Sequence, residues 1–514
     1  MTQRLGPAFL LPFLAVLVGV VAFLLLQDSS FVAAGGGLEY PLDDPYIHLA
    51  VAEQLRAGGY GVNAGEYAAA SSSPLFPVLL MPFAGTDFHS WMPFIWNVVG
   101  LVLAAALWGR ILWQAGYGAS ALGMVLAAIG PLLLNFVGVA YTGMEHALHV
   151  AASLAIVLGL LRFVDDGVIG GALIAGVLLA PLLRFEGLAL ALMAAAVVLS
   201  QRRLLRGLGL LVLASVPVAA YSYWLTVLGL DPLPGSATVR LDLPQGAGLV
   251  DVVMAKLAVN LPKTSTQALL GYLAVAAVLL FTPPVRASGR WLLVVAVASA
   301  GLAHLLLGDF GGMDRYEIYI LASLAAGLLA ASAAPFARRL PMLPILPMVL
   351  AATVYLPGLV SIYPAAGNAV HLQQAQMGRF AKDFLKEPVA VNEIGHVAWQ
   401  NPNYVLDLSG AANPMARAQR LRAPHPEWAD DLTAVRQVHF AMIYEDGLPQ
   451  ATAPGWARLG QLNMDAKADT LGRTVVSFFL TGPWDRAPYV AKLQAWQLGL
   501  PKGASFEFAE GIAP

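Results

Sequence analysis

Residues Gly6–Leu26 read GPAFLLPFLAVLVGVVAFLLL, a run without one charged or amide side chain. A helix needs roughly 20 apolar residues to cross the hydrocarbon of a bilayer, and this run supplies them. Working outward, runs of the same character recur at Trp91–Trp113, Ser120–Val137, Glu145–Leu161, Val168–Leu182, Gly187–Leu199, Leu208–Leu228, Thr264–Phe281, Trp291–Leu307, Tyr316–Ala334 and Leu340–Val360. That makes about eleven expected spans, of which Val168–Leu182 and Gly187–Leu199 are short. The 514-residue chain is 58% hydrophobic and 12% charged, whereas soluble domains carry about 25% charged residues. A soluble enzyme is therefore excluded, and so is a disordered chain, which needs low hydrophobicity and high charge. The net charge of -2 offers no electrostatic footprint for nucleic acid. The absence of Cys removes disulfides, thiol catalysis and Cys-based metal sites.

Arginine placement gives an expected orientation. With the N-terminus inside, Arg4, Arg110, Arg162, Arg202, Arg203, Arg206, Arg286, Arg290, Arg338 and Arg339 fall at cytoplasmic ends of spans. The opposite loops are longer and carry Arg56, Arg184, Arg240, Lys256, Lys263 and Arg315. An odd number of spans then puts the C-terminal portion outside the cytoplasmic membrane. The first run also has the make-up of a signal peptide, with small residues at Val32–Ala34 after it. The outside placement of the later loops is the same either way. The expected membrane part is 1–364, with a first outer loop at 27–90 in which the apolar piece Pro74–Ala84 reads as an interfacial or re-entrant helix. From 365 to 514 the composition shifts to a small α/β domain. Its helical spacing falls at Val370–Leu385 and Tyr489–Gln497, and strand-like runs fall at Val389–Asn392, Tyr404–Leu408, His439–Tyr444 and Thr474–Leu480.

The few charges left in the membrane part form the candidate site. Leu42-Asp43-Asp44-Pro45-Tyr46-Ile47 places two adjacent carboxylates in the first outer loop. Their repulsion near apolar surface raises at least one pKa, as a general base acting on a hydroxyl would require. The same residues also read as a cap, with Asp44 before a first-turn Pro45. Asn63-Ala64-Gly65-Glu66-Tyr67 and Ser71-Ser72-Ser73-Pro74-Leu75 read as turns. Three further outer turns carry acids: Tyr141-Thr142-Gly143-Met144-Glu145-His146, Leu183-Arg184-Phe185-Glu186-Gly187, and Gly308-Asp309-Phe310 with Asp314-Arg315-Tyr316-Glu317. Charges at membrane depth cost at least ~2.5–3.5 kcal/mol each, so they pair or line a polar cavity. Three such turns point to one shared cavity, in which Arg suits a phosphate. Local ion pairs such as Arg184–Glu186 are the plainer reading. The long segment Gly229–Lys263 holds Arg240 and an amphipathic stretch, Gly248–Leu261, which reads as a surface helix or a connector. His48, His89, His146 and His304 have no paired metal-binding spacing. A divalent cation (Mg, Mn or Ca) on Asp43 and Asp44 is the one metal reading left open, and no nucleotide-binding Gly loop is present.

Asp43-Asp44-Pro45-Tyr46-Ile47, the helix Leu49–Leu55, Gly58-Gly59-Tyr60-Gly61, Asn63-Ala64-Gly65-Glu66 and Ser73-Pro74-Leu75 together resemble the first outer loop of GT-C membrane glycosyltransferases. The subgroup that looks most similar is the actinobacterial terminal arabinofuranosyltransferases and their bacterial relatives. Gly143-Met144-Glu145, Arg184-Phe185-Glu186-Gly187, Pro232-Leu233-Pro234, Gly308-Asp309-Phe310 with Arg315-Tyr316, Val391-Asn392-Glu393-Ile394-Gly395 and Leu406-Asp407-Leu408 follow in the same order. Phe185 stands where the family usually has Pro, and His146 follows Glu145 where a small polar residue is usual.

The resemblance implies a GT-C-type, α-helical polytopic membrane protein with a small extracytoplasmic α/β domain. It implies transfer of a sugar, with inversion, from a polyprenyl-phosphate carrier to a glycan, lipid or protein acceptor outside the membrane. Asp43 and Asp44 match the family's catalytic acids. The expected substrate contacts are Tyr46, Glu145, His146, Arg184, Glu186, Arg240, Asp309, Arg315 and Tyr316. A secondary transporter would instead place ionisable residues mid-span within paired repeats, and a non-catalytic scaffold is the other rival reading.

Overall fold

The computed structural model describes residues 7–234, 248–333, 341–421, 427–448, 451–465 and 473–512. Arg4, Arg240, Arg338 and Arg339 lie outside the described residues. The chain divides into two compact units. One holds Met1–Asp28, Pro93–Tyr221 and Gly248–Ser361; the other holds Ser29–Met92, Ser222–Ala247 and Ile362–Pro514.

The first unit is a helical bundle, and each of the eleven expected runs contains a helix. Among the described residues, five helices are long and apolar enough to cross a membrane. They begin at Leu10, Asp87, His146, Leu204 and Met342. A sixth crossing arises if Val250–Asn260 and Thr264–Leu280, bent by 109° at their break, count as one span. The other expected spans form shorter apolar helices: Ala121–Leu133, Gly171–Leu183, Gly187–Ser200, Trp291–Leu307 and Ile318–Ser332. At 1.5 Å per residue a helix such as Gly171–Leu183 is shorter than a ~30 Å hydrocarbon core.

Burial separates two kinds of helix. Leu10–Ala33 buries Leu11 and Ala15 and turns Phe13, Leu17, Val21 and Leu24 outward. Leu204–Val227 exposes Leu205, Val212 and Val216. Contiguous apolar surface of this kind is unfavourable in water and suits lipid. By contrast, every residue of Ile318–Ser332 is buried. Small residues let the buried helices approach closely. A Cβ on Gly176 would lie 2.7 Å from the carbonyl oxygen of Ala152, and one on Gly109 would lie 2.5 Å from the backbone of Leu11.

The second unit joins the first loop to the C-terminal chain. Its sheet has the order β2-β1-β3-β5-β4-β6. The strands are β1 (Val389–Val391), β2 (Val405–Asp407), β3 (Phe440–Ile443), β4 (Ala457–Met464), β5 (Val475–Leu480) and β6 (Ala504–Phe508). β2, β1 and β3 run parallel, while β5 and β4 continue antiparallel. Trp428, Leu406, Ile443 and Phe479 belong to one core cluster against it. Four strands and both helices fall where the sequence pattern places them. β4 and β6 were missed: β4 alternates Arg458, Gln461 and Asn463 with buried residues and β6 is interrupted by Ser505 and Glu507, so neither makes an apolar run. In the first loop, helix Asp44–Arg56 is followed by the short helix Phe76–Leu80 and a 3-10 turn, Met81–Phe83, where an interfacial piece was expected.

The Gly109 contact gives a direct test. Gly109→Ala should destabilise the bundle by about 1–3 kcal/mol through overpacking, despite the gain in helix propensity. Gly209→Ala, with nothing within 4 Å of the added Cβ, should be neutral or mildly stabilising. Thermal unfolding of the two variants in detergent separates them.

Candidate functional site

In the second unit the double Asp lies at the start of Asp44–Arg56. Asp43 is the N-cap residue, Asp44 the first helical residue and Pro45 the second. The cap reading of Asp44 is thereby corrected by one residue, and the Asp43 side chain makes no cap hydrogen bond to its own helix. Its carboxylate instead accepts from the backbone N–H of Gly395 at 2.5 Å and of His396 at 2.8 Å. These amides open the short helix Gly395–Ala398, where free N–H groups attract an anion. Position 395 must be Gly, because any Cβ there would overlap the Asp43 carbonyl. Asp43 is buried and Asp44 half-buried. Burial pushes the Asp43 carboxyl above its ordinary range; His396 and the two amides pull against that, and Asp44 adds to it.

Around this pair the first loop is tied down by matched polar contacts. Tyr46 donates its hydroxyl to Glu39 at 2.8 Å, and the Glu39 carboxylate sits 3.0 Å from His396 Nε2. Burial opposes ionisation of Glu39, but His396, His371 and Tyr46 hold its carboxyl down at about 2. The Tyr46 ring lies 3.5 Å, centroid to centroid, from the His396 imidazole. The structure thus places Tyr46, an expected substrate contact, inside the unit with its hydroxyl already engaged. The Asn63 amide forms two bonds to one residue of β2, donating to the Val405 carbonyl at 2.9 Å and accepting from its N–H at 2.8 Å. His48 contacts the Ser71 hydroxyl at 3.0 Å. The Asn63 and Ser71 segments, which spacing alone reads as turns, are therefore fasteners.

Glu393 was missing from the expected site residues, although it stands in the quoted Val391–Gly395 stretch. Burial, followed by the nearby charges of Asp43 and Asp44, pushes its carboxyl up to about 8, while Arg473 opposes the rise. Arg473 pairs with it at 3.0 Å. Both line a small pocket shared with Tyr444, Gln373 and Gln374. Among the described residues, Gln373 Nε2 and Gln374 Oε1 are buried without a hydrogen-bond partner. For a metal the fit is poor. Both Asp43 oxygens are turned to backbone amides, and the described residues contain no group of three or more acids or histidines placed to hold an ion.

In the first unit the expected residues converge on Tyr316. Arg184 donates from Nη1 to Glu145 at 2.8 Å, from Nη2 to Glu186 at 2.7 Å and from Nε to Glu186 at 3.3 Å. Its three nitrogens are therefore all engaged by carboxylates, which is the local ion-pair reading and more. The Tyr316 ring receives the Arg184 guanidinium at 5.5 Å and that of Arg315 at 4.9 Å, a cation–π arrangement. Arg315 also donates to the Tyr316 hydroxyl at 3.0 Å, and the His146 ring lies 5.8 Å away. Asp309 is paired with Lys256. Lys263 donates to the Phe310 carbonyl at 2.7 Å. Lys256, within the helix Leu249–Asn260, and Lys263, just beyond it, were not among the expected contacts; their sequence positions marked them only as loop charges. Glu317, fully buried, accepts from Gly311 N–H at 2.9 Å and from the Tyr355 hydroxyl at 3.1 Å.

Residues 366–479 match the model of a family described as a domain of unknown function (DUF8728). No curated protein matches the chain. Among solved structures, the chain is similar to ArnT from Cupriavidus metallidurans in the apo state. That match has 14% identity and a TM-score of 0.43 and covers 89% of this chain and 97% of that one. The same protein bound to undecaprenyl phosphate matches at 14% identity and a TM-score of 0.40, covering 91% and 97%. Likeness at that level leaves the functional reading to the chain's own residues.

The raised Glu393 carboxyl has a pH consequence. Its folded pKa of about 8 lies above the ordinary 4.5, so the folded state favours the protonated form. That contribution is whole below about 4.5 and is lost as pH rises through about 8. The unfolding temperature should therefore fall over this window, and Glu393→Gln should flatten the fall. Thermal unfolding of both proteins across the window measures it.

Proposed function

We propose that the chain is a GT-C membrane glycosyltransferase that moves a sugar from a polyprenyl-phosphate-linked donor to an extracytoplasmic acceptor. The observation that carries this reading is the split between two adjacent acids: Asp43 is clamped by Gly395 and His396, while Asp44 beside it stays half-buried. The ordered motifs of the first loop, which resemble the terminal arabinofuranosyltransferases, support it. The acceptor is a cell-envelope glycan, lipid or protein. The domains are a membrane part, 1–364, and an outer part, 365–514, with the N-terminus cytoplasmic.

Asp44 takes the proton from the acceptor hydroxyl. The acceptor oxygen then forms a bond to the anomeric carbon as the carbon–oxygen bond to phosphate breaks, and the polyprenyl phosphate leaves with the electron pair. Attack from the face opposite the leaving group inverts the centre. Phosphate departs without a general acid, so the reaction needs one base and a cation rather than the acid/base carboxylate pair of glycosidases. Asp43 is a positioning residue that keeps the Asp43-Asp44 backbone in place, and Glu393 raises the local proton affinity. In the first unit, Arg315 on the Tyr316 ring is the phosphate ligand, aided by Lys256 and Lys263. Arg184, neutralised by two glutamates, shapes the sugar pocket with Glu145, Glu186, His146 and Asp309. No step is routed through a metal.

Asp44→Asn should abolish transfer from a polyprenyl-phosphate sugar with unfolding unchanged. Asp43→Asn should slow transfer and also lower stability by about 1.5–3 kcal/mol, the worth of hydrogen bonds to a charged group. Transfer of radiolabelled sugar by purified protein, alongside thermal unfolding, reads both. Full activity of Asp44→Asn would overturn the assignment of the base.

A further inference from the structure

The turn after β5 carries a large exposed aromatic. Trp484 is 44% exposed, and its ring stacks on His439 at 3.8 Å between centroids and 29° between planes. The turn is tight: Trp484 N–H donates to the Gly482 carbonyl at 2.8 Å, and a Cβ on Gly482 would come within 3.0 Å of the indole nitrogen. Trp484 and His439 line an open cleft together with Asp430, Thr433, Gln437 and Thr481.

We propose that this cleft is a binding subsite for a neutral glycan. A sugar ring has an apolar C–H face and a rim of hydroxyl donors, and the cleft offers the complement of both. Trp484 gives a flat apolar platform, held rigid by the imidazole against it. The rim is rich in acceptors. The Thr433 and Thr481 hydroxyls, both buried, spend their protons on the carbonyls of Asp430 and Val438, which leaves oxygen lone pairs for incoming donors. Asp430 accepts the Trp456 indole N–H on Oδ1 at 2.8 Å, which fixes its carboxylate at the cleft. Gln437 is exposed and presents an amide. The described lining holds no Lys or Arg, so an anionic group such as phosphate or a uronate finds no permanent counter-charge there, whereas the Asp430 carboxylate repels it. This subsite does not depend on the transfer reading, because binding alone tests it.

The test is calorimetric titration of the full detergent-solubilised chain with three neutral hexasaccharides, of glucose, mannose and arabinofuranose, and with a hexauronate. At least one neutral oligosaccharide should bind. Trp484→Ala should weaken that binding about tenfold, the scale of one lost stacking contact. Trp484→Phe should keep most of it, and Gln437→Ala at an exposed position should weaken it about threefold. Unchanged thermal unfolding in these variants confines the effect to the cleft. Binding by none of the three neutral sugars, equal binding by Trp484→Ala, or tighter binding of the hexauronate would overturn the proposal. Loss of sugar transfer in Asp44→Asn with binding intact would leave it standing.

Discussion

A single carboxylate meeting two backbone amides organises the second unit. Asp43 reaches Gly395 across 352 residues of chain. Without that bond a short helix would begin with unsatisfied N–H groups beside a buried, uncompensated acid, and both cost free energy. The bond also dictates a residue type at its far end, since only Gly admits so close an approach at 395. Everything acidic nearby takes its position from this contact. Asp44 follows Asp43 into the helix, and Glu393 precedes the amides by two residues. Asp43 and Glu393 are thereby gathered beside Asp44, and burial, with the neighbouring charges adding to it, raises the proton affinity of both.

The first unit solves a different problem. Its charges sit at helix ends, and burial there forces them to pair. Arg184 satisfies two glutamates from two turns at once. Lys256 meets Asp309, and Glu317 has a tyrosine and a backbone amide for partners. A buried ion pair is costly to break, because the remaining charge is left uncompensated. These ties fix the turns joining the short helices Gly171–Leu183, Gly187–Ser200 and Ile318–Ser332. Ile318–Ser332, buried along its whole length, has no need to reach the length of a bilayer crossing.

Each of the eleven apolar runs located a helix of the bundle, because hydrophobicity along a chain is a local property. They could not say where a helix breaks: the run Ser120–Val137 is interrupted at Asn135, whose left-handed backbone separates Ala121–Leu133 from Phe136–Tyr141. In the C-terminal sheet, strands with continuous apolar faces were legible. β4, half-buried and alternating with polar residues, was not. The convergence of Glu145, Arg184, Glu186 and Arg315 on Tyr316 followed from the rule that charges at membrane depth must pair. The clamp on Asp43 did not follow, because a backbone amide donor leaves no mark in a sequence. Glu393 was overlooked for a related reason: its altered proton affinity comes from neighbours distant in the chain, and an isolated glutamate looks ordinary.

The Asn63 side chain carries a further consequence. β2 is the outermost strand on its side of the sheet, and an outermost strand with open N–H and C=O groups is a template for another chain. Asn63 closes that template at Val405 by satisfying both groups with one amide, as a neighbouring strand would. A surface that would otherwise recruit a second molecule is thus spent on the chain's own loop, and the loop acts as a guard against self-association.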